Sequence, residues 1–82
     1  MEIKVLGRGC AKCGLTEELV RQVLREERID AHVEKVTGFK EIAEYGVFLT
    51  PSVMIDGEVK CIGRIPGKEE IKGWVTKHRP SG

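Results

Sequence analysis

The 82-residue sequence predicts an α/β domain of order βαβαββα, with a four-stranded mixed sheet and helices on both faces. Three observations carry that prediction. Short alternating apolar runs are interleaved with segments of helical period. An Asp-Gly pair, Asp56-Gly57, separates two of the short runs, as in a tight hairpin. The first strand-helix-strand unit is long enough for a right-handed parallel crossover.

Each element follows from the residues in order. Residues 2–7, EIKVLG, set Ile3 and Val5 against Glu2 and Lys4, the alternation of a strand with one buried face. Over roughly residues 11–28, Leu15, Leu19 and Val23 recur every four positions, and Val20 and Leu24 fill the same stripe, giving an amphipathic helix. Its early acids, Glu17 and Glu18, and late bases, Arg21, Arg25 and Arg28, complement the helix dipole, and Glu17 and Arg21 lie one turn apart. Residues 30–36 alternate again. In residues 37–46, Thr37 or Gly38 caps a short helix that turns Phe39, Ile42 and Ala43 to the core and ends at Gly46. After a Thr50-Pro51 step, a strand over residues 52–56 turns at Asp56-Gly57 into a return strand over residues 58–63, which puts Val59 and Cys61 on one face. Pro66 and Gly67 precede a last helix near residues 67–78, with Ile71, Trp74 and Val75 inward.

Composition narrows the function classes. The length fits one domain over residues 1–82, with residues 79–82 as a frayed tail. A 40% apolar and 33% charged content fits a folded chain rather than a disordered one. The net charge of +1 gives no footprint for nucleic acid or an anionic membrane. No run is apolar enough to span a bilayer, and the first ten residues lack the apolar centre of a signal peptide. A cytoplasmic monomer is expected. Three cysteines do not make a disulfide framework. The absence of Asn, the single Gln and the abundance of Lys, Arg and Glu match thermophile composition.

The chemistry concentrates in GRGCAKCGL, residues 7–15. Cys10 falls where strand gives way to helix, and Cys13 one turn later, a spacing that suits a disulfide. Cys10 at a helix N-terminus faces unpaired N–H groups and the positive dipole end, which stabilise a thiolate. Arg8 and Lys12 add positive potential. Cys13 is placed to attack a mixed disulfide formed at Cys10. Metal readings stay open. A structural zinc site wants four ligands, and the remaining donors, Cys61, His32 and His78, are isolated. A soft-metal carrier for Cu(I) or Zn using the two thiolates is the alternative, although ferredoxin-like carriers run βαββαβ without a final helix. Cys61 reads as a small buried hydrophobe, His32 and His78 as solvated, Trp74 as core, and Tyr45 as helix packing or a neighbour of the active end. Pro51 alone reads as an ordinary proline at a strand start.

Taken together, GCAKC, EIAEYGVFLTPSVMIDGEV and GRIPGKEEI resemble the thioredoxin superfamily over residues 1–78. The likeness is to its small glutaredoxin-like form, the short redox-active disulfide or thioredoxin-like proteins of archaea and bacteria. The resemblance implies a thioredoxin-like fold and thiol-disulfide exchange with protein or small-molecule disulfides. It implies Cys10 as nucleophile, Cys13 as resolving cysteine and the Cys10–Cys13 disulfide as the redox centre, with no separate cofactor. It also implies Pro51 as a cis-proline and the Thr50 backbone as a strand-like partner for substrate. A thioredoxin-reductase-like or dithiol reductant would restore the pair. Gly9 replaces the aromatic residue that precedes the first cysteine of thioredoxins proper, and Ala11-Lys12 replaces Gly-Pro. Only Glu2 is available on strand one for the family's buried acid, and no glutathione-binding set is evident.

Overall fold

The computed structural model describes residues 1–8 and 11–77, with the Lys77 side chain excepted. The elements are β1 (Glu2–Leu6), α1 (Ala11–Glu26), β2 (His32–Val36), α2 (Phe39–Glu44), β3 (Ser52–Ile55), β4 (Glu58–Ile62) and α3 (Lys68–Lys77). The sheet order is β2-β1-β3-β4, with β1 parallel to β2 and antiparallel to β3, and β3 antiparallel to β4. This is the predicted mixed sheet. The expected frayed tail, residues 79–82, lies outside the described residues.

Strand alternation divides the core in two. Ile3, Val5, Val53, Ile55 and Cys61 face α1 and α3, which contribute Val20, Val23, Leu24, Ile71 and Val75. Leu6 and Met54 face the other way with Val36, and are covered by Ile42 of α2 and by Val47. One sheet face therefore carries two helices and the other carries the short one. Trp74 packs at the rim of the larger cluster, as expected.

Three sequence expectations need correction. The buried stripe of α1 is Cys13, Thr16, Val20, Val23 and Leu24. Leu15 is 51% exposed, because the helix turns positions 13 and 16 inward and carries 15 past the sheet. Phe39, the first residue of α2, is 66% exposed and not core. Val59 and Cys61 do not share a face. The pairing of β3 with β4 shifts between Val53 and Met54, so Val53 opposes Cys61 while Met54 opposes Val59. Lys60 is the extra residue of a bulge, and a bulge reverses alternation beyond it. Cys61 thus lies with the buried Val53, and Val59 is partly open to solvent.

The turns explain the element limits. Asp56 and Gly57 have φ of 49° and 85°, the two positive values that a type I′ hairpin requires. Asp56 also ties the hairpin to β1: its N–H donates to the Glu2 carbonyl at 2.8 Å and its Oδ1 accepts from the Glu2 N–H at 2.8 Å. α1 stops two residues short of the expected limit. Arg28 adopts φ 54°, its N–H reaches the Arg25 carbonyl at 3.2 Å, and the Ile29 N–H reaches the Leu24 carbonyl at 2.9 Å. This is a Schellman closure with arginine where glycine is usual. At the start of α3, Glu70 Oε1 accepts from the Gly67 N–H at 2.9 Å, half of a capping box.

Candidate active site

β1 leads into Gly7, whose N–H continues the parallel pairing by donating to the Val36 carbonyl at 2.9 Å. Gly7 is buried. A Cβ on this residue would run into the Cys13 side chain, lying 2.7 Å from its Cβ and closer still to its Sγ. The absent side chain at Gly7 is what lets the first turn of α1 close over the end of β1. Cys13, third residue of α1, is completely buried there. One turn on, the Thr16 Oγ1 donates to the Lys12 carbonyl at 2.8 Å, which satisfies a buried hydroxyl within the helix.

Gly9 and Cys10, the latter the expected nucleophile, lie outside the described residues. Arg8 and Lys12 flank them and are both exposed. The Arg8 guanidinium carbon sits 5.1 Å from the centre of the Phe39 ring, a cation–π stack that accounts for the outward turn of Phe39.

The second wall comes from residues 47–51. Leu6 pairs with Ser52, so the exit of β1 and the entry to β3 lie at the same end of the sheet. The Thr50–Pro51 peptide bond is cis. Pro51 is fully buried and Thr50 partly so. The loop is fixed from behind. The Pro51 carbonyl accepts from the Gly63 N–H at 2.9 Å, and the Ser52 Oγ donates to the Leu49 carbonyl at 2.7 Å while accepting from the Gly63 N–H at 3.4 Å. Gly63, at φ 71°, leaves room for the Leu49 side chain. Ahead of it, Phe48 and Leu49 are 80% and 64% exposed. A cavity of about 160 Å³ joins the two walls, lined by Arg8, Phe39, Ala43, Phe48 and Thr50 among others.

Arg8 and Thr50 therefore meet around one cavity, whereas Lys12 does not line it. Four contributors were missed in the sequence: Gly7, Ser52, Phe48 and Leu49. The signal for Gly7 was its place at the end of an apolar strand, three residues before Cys10. Phe48 and Leu49 sit in an apolar run that gives no sign of exposure. Tyr45 stands away from this cavity: its hydroxyl accepts from Lys4 Nζ at 3.1 Å, with the ammonium 5.1 Å from its ring centre. The hydroxyl bond is the main reason the Lys4 pKa is raised. His32 is exposed, as expected, and His78 lies outside the described residues. Cys61 is buried, and that burial pushes its thiol pKa up; its Sγ donates weakly to the Arg64 carbonyl at 3.8 Å.

Comparison with known proteins agrees with this fold. A family model described as a thioredoxin domain matches residues 1–76. A protein named Thioredoxin from Methanothermobacter thermautotrophicus is 42% identical over 72 residues, covering 88% of this chain and 94% of the relative. Another of the same name, from Methanocaldococcus jannaschii, is 47% identical over 70 residues, covering 85% of this chain and 80% of that protein. The chain belongs to the thioredoxin family and is a thioredoxin-like disulfide oxidoreductase.

Proposed function

We propose that Cys10 and Cys13 are the exchanging pair and that the chain reduces disulfides presented along the Thr50 wall. The observation that carries this reading is the placement of Cys13. It is completely buried in the first turn of α1, so a substrate sulfur cannot reach it first, and it follows Cys10 by three positions in the sequence. The outer cysteine then begins the reaction and the inner one completes it. The Cys10 thiolate attacks one sulfur of the substrate disulfide, forming a Cys10–substrate disulfide and expelling a substrate thiolate that takes a proton from water. The Cys13 thiolate, its proton passed to solvent, attacks the Cys10 sulfur. This forms the Cys10–Cys13 disulfide and releases the second substrate thiol. The substrate gains two electrons and the pair loses two. A dithiol or a reductase of the thioredoxin-reductase type reverses the sequence and restores the pair.

Exposed Phe48 and Leu49 beside partly buried Thr50 favour protein disulfides as substrates, because an extended segment could pair with the Thr50 backbone and cover both side chains. Arg8, stacked on Phe39, holds a positive charge at the mouth of the same cavity. No observation favours the soft-metal alternative, and α2 between β2 and β3 sets the fold apart from the βαββαβ order of such carriers.

Turnover of a protein disulfide with excess dithiol tests the assignment. Cys10→Ser is expected to abolish it, and Cys13→Ser to reduce it by at least a hundredfold. Retained turnover in both variants would sink the proposal.

A further inference from the structure

We propose that the flank formed by the C-terminal half of α1 and the edge strand β2 docks an acidic, extended segment of a partner protein, independently of the dithiol. An open cavity of about 400 Å³ lies there, lined by the Arg21, Arg25 and Arg28 side chains over an apolar floor that includes Leu24, Ile29 and Val33. A second open cavity, bounded by Met1, Glu2 and His32, shares Asp30 and Ala31 with the first, so the two make one furrow past the start of β2. A furrow of this shape suits a strand-like chain better than a compact ligand.

The charges favour an acidic occupant. Arg21 is engaged, donating from Nη2 to Glu17 Oε2 at 3.1 Å. Among the described residues, no ion pair or side-chain hydrogen bond engages the guanidinium of Arg25 or Arg28, and both are exposed. The acids lining the furrow are Asp30, beside the arginines, and Glu2, in the second cavity. Two guanidinium groups are thus available for carboxylates, and the fork geometry of arginine suits that task.

The backbone at Arg28 supplies an independent reason. Its φ of 54° falls in the left-handed region, where glycine would sit without penalty and a side chain is disfavoured. The Schellman closure would be better served by glycine. An arginine kept there at a backbone cost projects a second guanidinium beside Arg25, which a helix-ending glycine could not do. The edge of β2 away from β1 completes the site, since it offers unpaired backbone groups to an incoming strand. Arg25 lies twelve positions after Cys13 on α1, about 18 Å at the rise of an α-helix, so a segment docked here leaves the dithiol open.

The test uses the full chain and a labelled peptide of alternating glutamate and leucine. Expected are amide shifts at Leu24, Ile29, Ala31 and Val33, affinity that falls as salt is raised, and at least fivefold weaker binding by Arg28→Gly. Arg28→Gly suits the purpose because it relieves the backbone, so its melting midpoint should hold or rise while binding is lost. Arg25→Gln should weaken binding to a similar degree. Shifts confined to the neighbourhood of Cys13 and Thr50 would overturn the proposal. So would unchanged affinity in Arg28→Gly, or equal occupancy of the flank by a lysine-leucine peptide or a single-stranded oligonucleotide. Because Cys10 and Cys13 take no part in this binding, its failure leaves the dithiol assignment standing, and the converse holds.

Discussion

Gly7 is the residue on which the candidate active site's geometry turns. The Cys13 side chain occupies the space that any larger residue at position 7 would need. The obstruction includes the Cys13 Cβ, which is carried by the backbone and cannot swing away. Gly7→Ala is therefore expected to lower unfolding free energy by about 1–3 kcal/mol, the usual cost of overpacking a tight site. It should also slow disulfide turnover, because the Cys13 sulfur is displaced. Denaturant midpoints and turnover measured on the same samples check both parts. Unchanged stability would show that the helix can slide off β1 without loss. The Thr-Pro step at the entry to β3 was legible in the sequence because it is a local signal. The Gly7–Cys13 contact was not, because it depends on how tightly α1 closes over β1. Phe39 misled for a related reason: helical period placed it inward, but the cation on Arg8, distant in sequence, gives the ring a partner at the surface.

At the scale of elements, α3 shows how a helix start can carry a pH dependence. Glu70 takes a two-pronged grip from Arg64, with Nη1 to Oε1 and Nη2 to Oε2 each at 2.7 Å, and also caps the Gly67 N–H. The Arg64 bonds, then the backbone bond, bring its pKa down to about 2. A carboxylate whose folded pKa lies below its unfolded value of about 4.3 stabilises the fold above that unfolded value and loses the contribution as pH falls through the folded one. The stability advantage of wild type over Glu70→Gln is expected to be full above about pH 5 and to fade toward pH 2. The group is exposed, so the advantage should be modest and should shrink with salt. Melting curves of both proteins across that range decide it; a constant gap would mean that the Arg64 grip is not formed in solution. The order and kind of all seven elements were legible, since alternation, helical period and the Asp56-Gly57 turn are local signals. The bulge at Lys60 was not. It arises from pairing with β3, and nothing in EVKCIG marks which residue is left over.

For the whole molecule, the division of labour follows from topology. β1 and β3 run antiparallel, so the end of one and the beginning of the other bring Gly7 and the Thr50–Pro51 loop to one end of the sheet. The furrow of α1 and β2 lies toward the opposite end of α1. Several ion pairs join separate elements across the surface, among them Lys68 with Glu26 at 2.8 Å and Lys72 with Glu27 at 3.6 Å, both tying α3 to the end of α1. With the scarcity of Asn and Gln, they point to a melting midpoint above about 65 °C, the upper limit of ordinary mesophile domains. A calorimetric midpoint within the mesophile range would contradict that expectation. The central claim, that Cys10 opens and Cys13 closes the exchange, is tested most directly by trapping with Cys13→Ser. Incubated with a disulfide-bonded protein and analysed by mass spectrometry without reductant, the variant is expected to accumulate a one-to-one adduct through Cys10, with buried Cys61 unmodified, and to release it on addition of dithiol. Absence of any adduct, or an adduct carried by Cys61, would contradict the account.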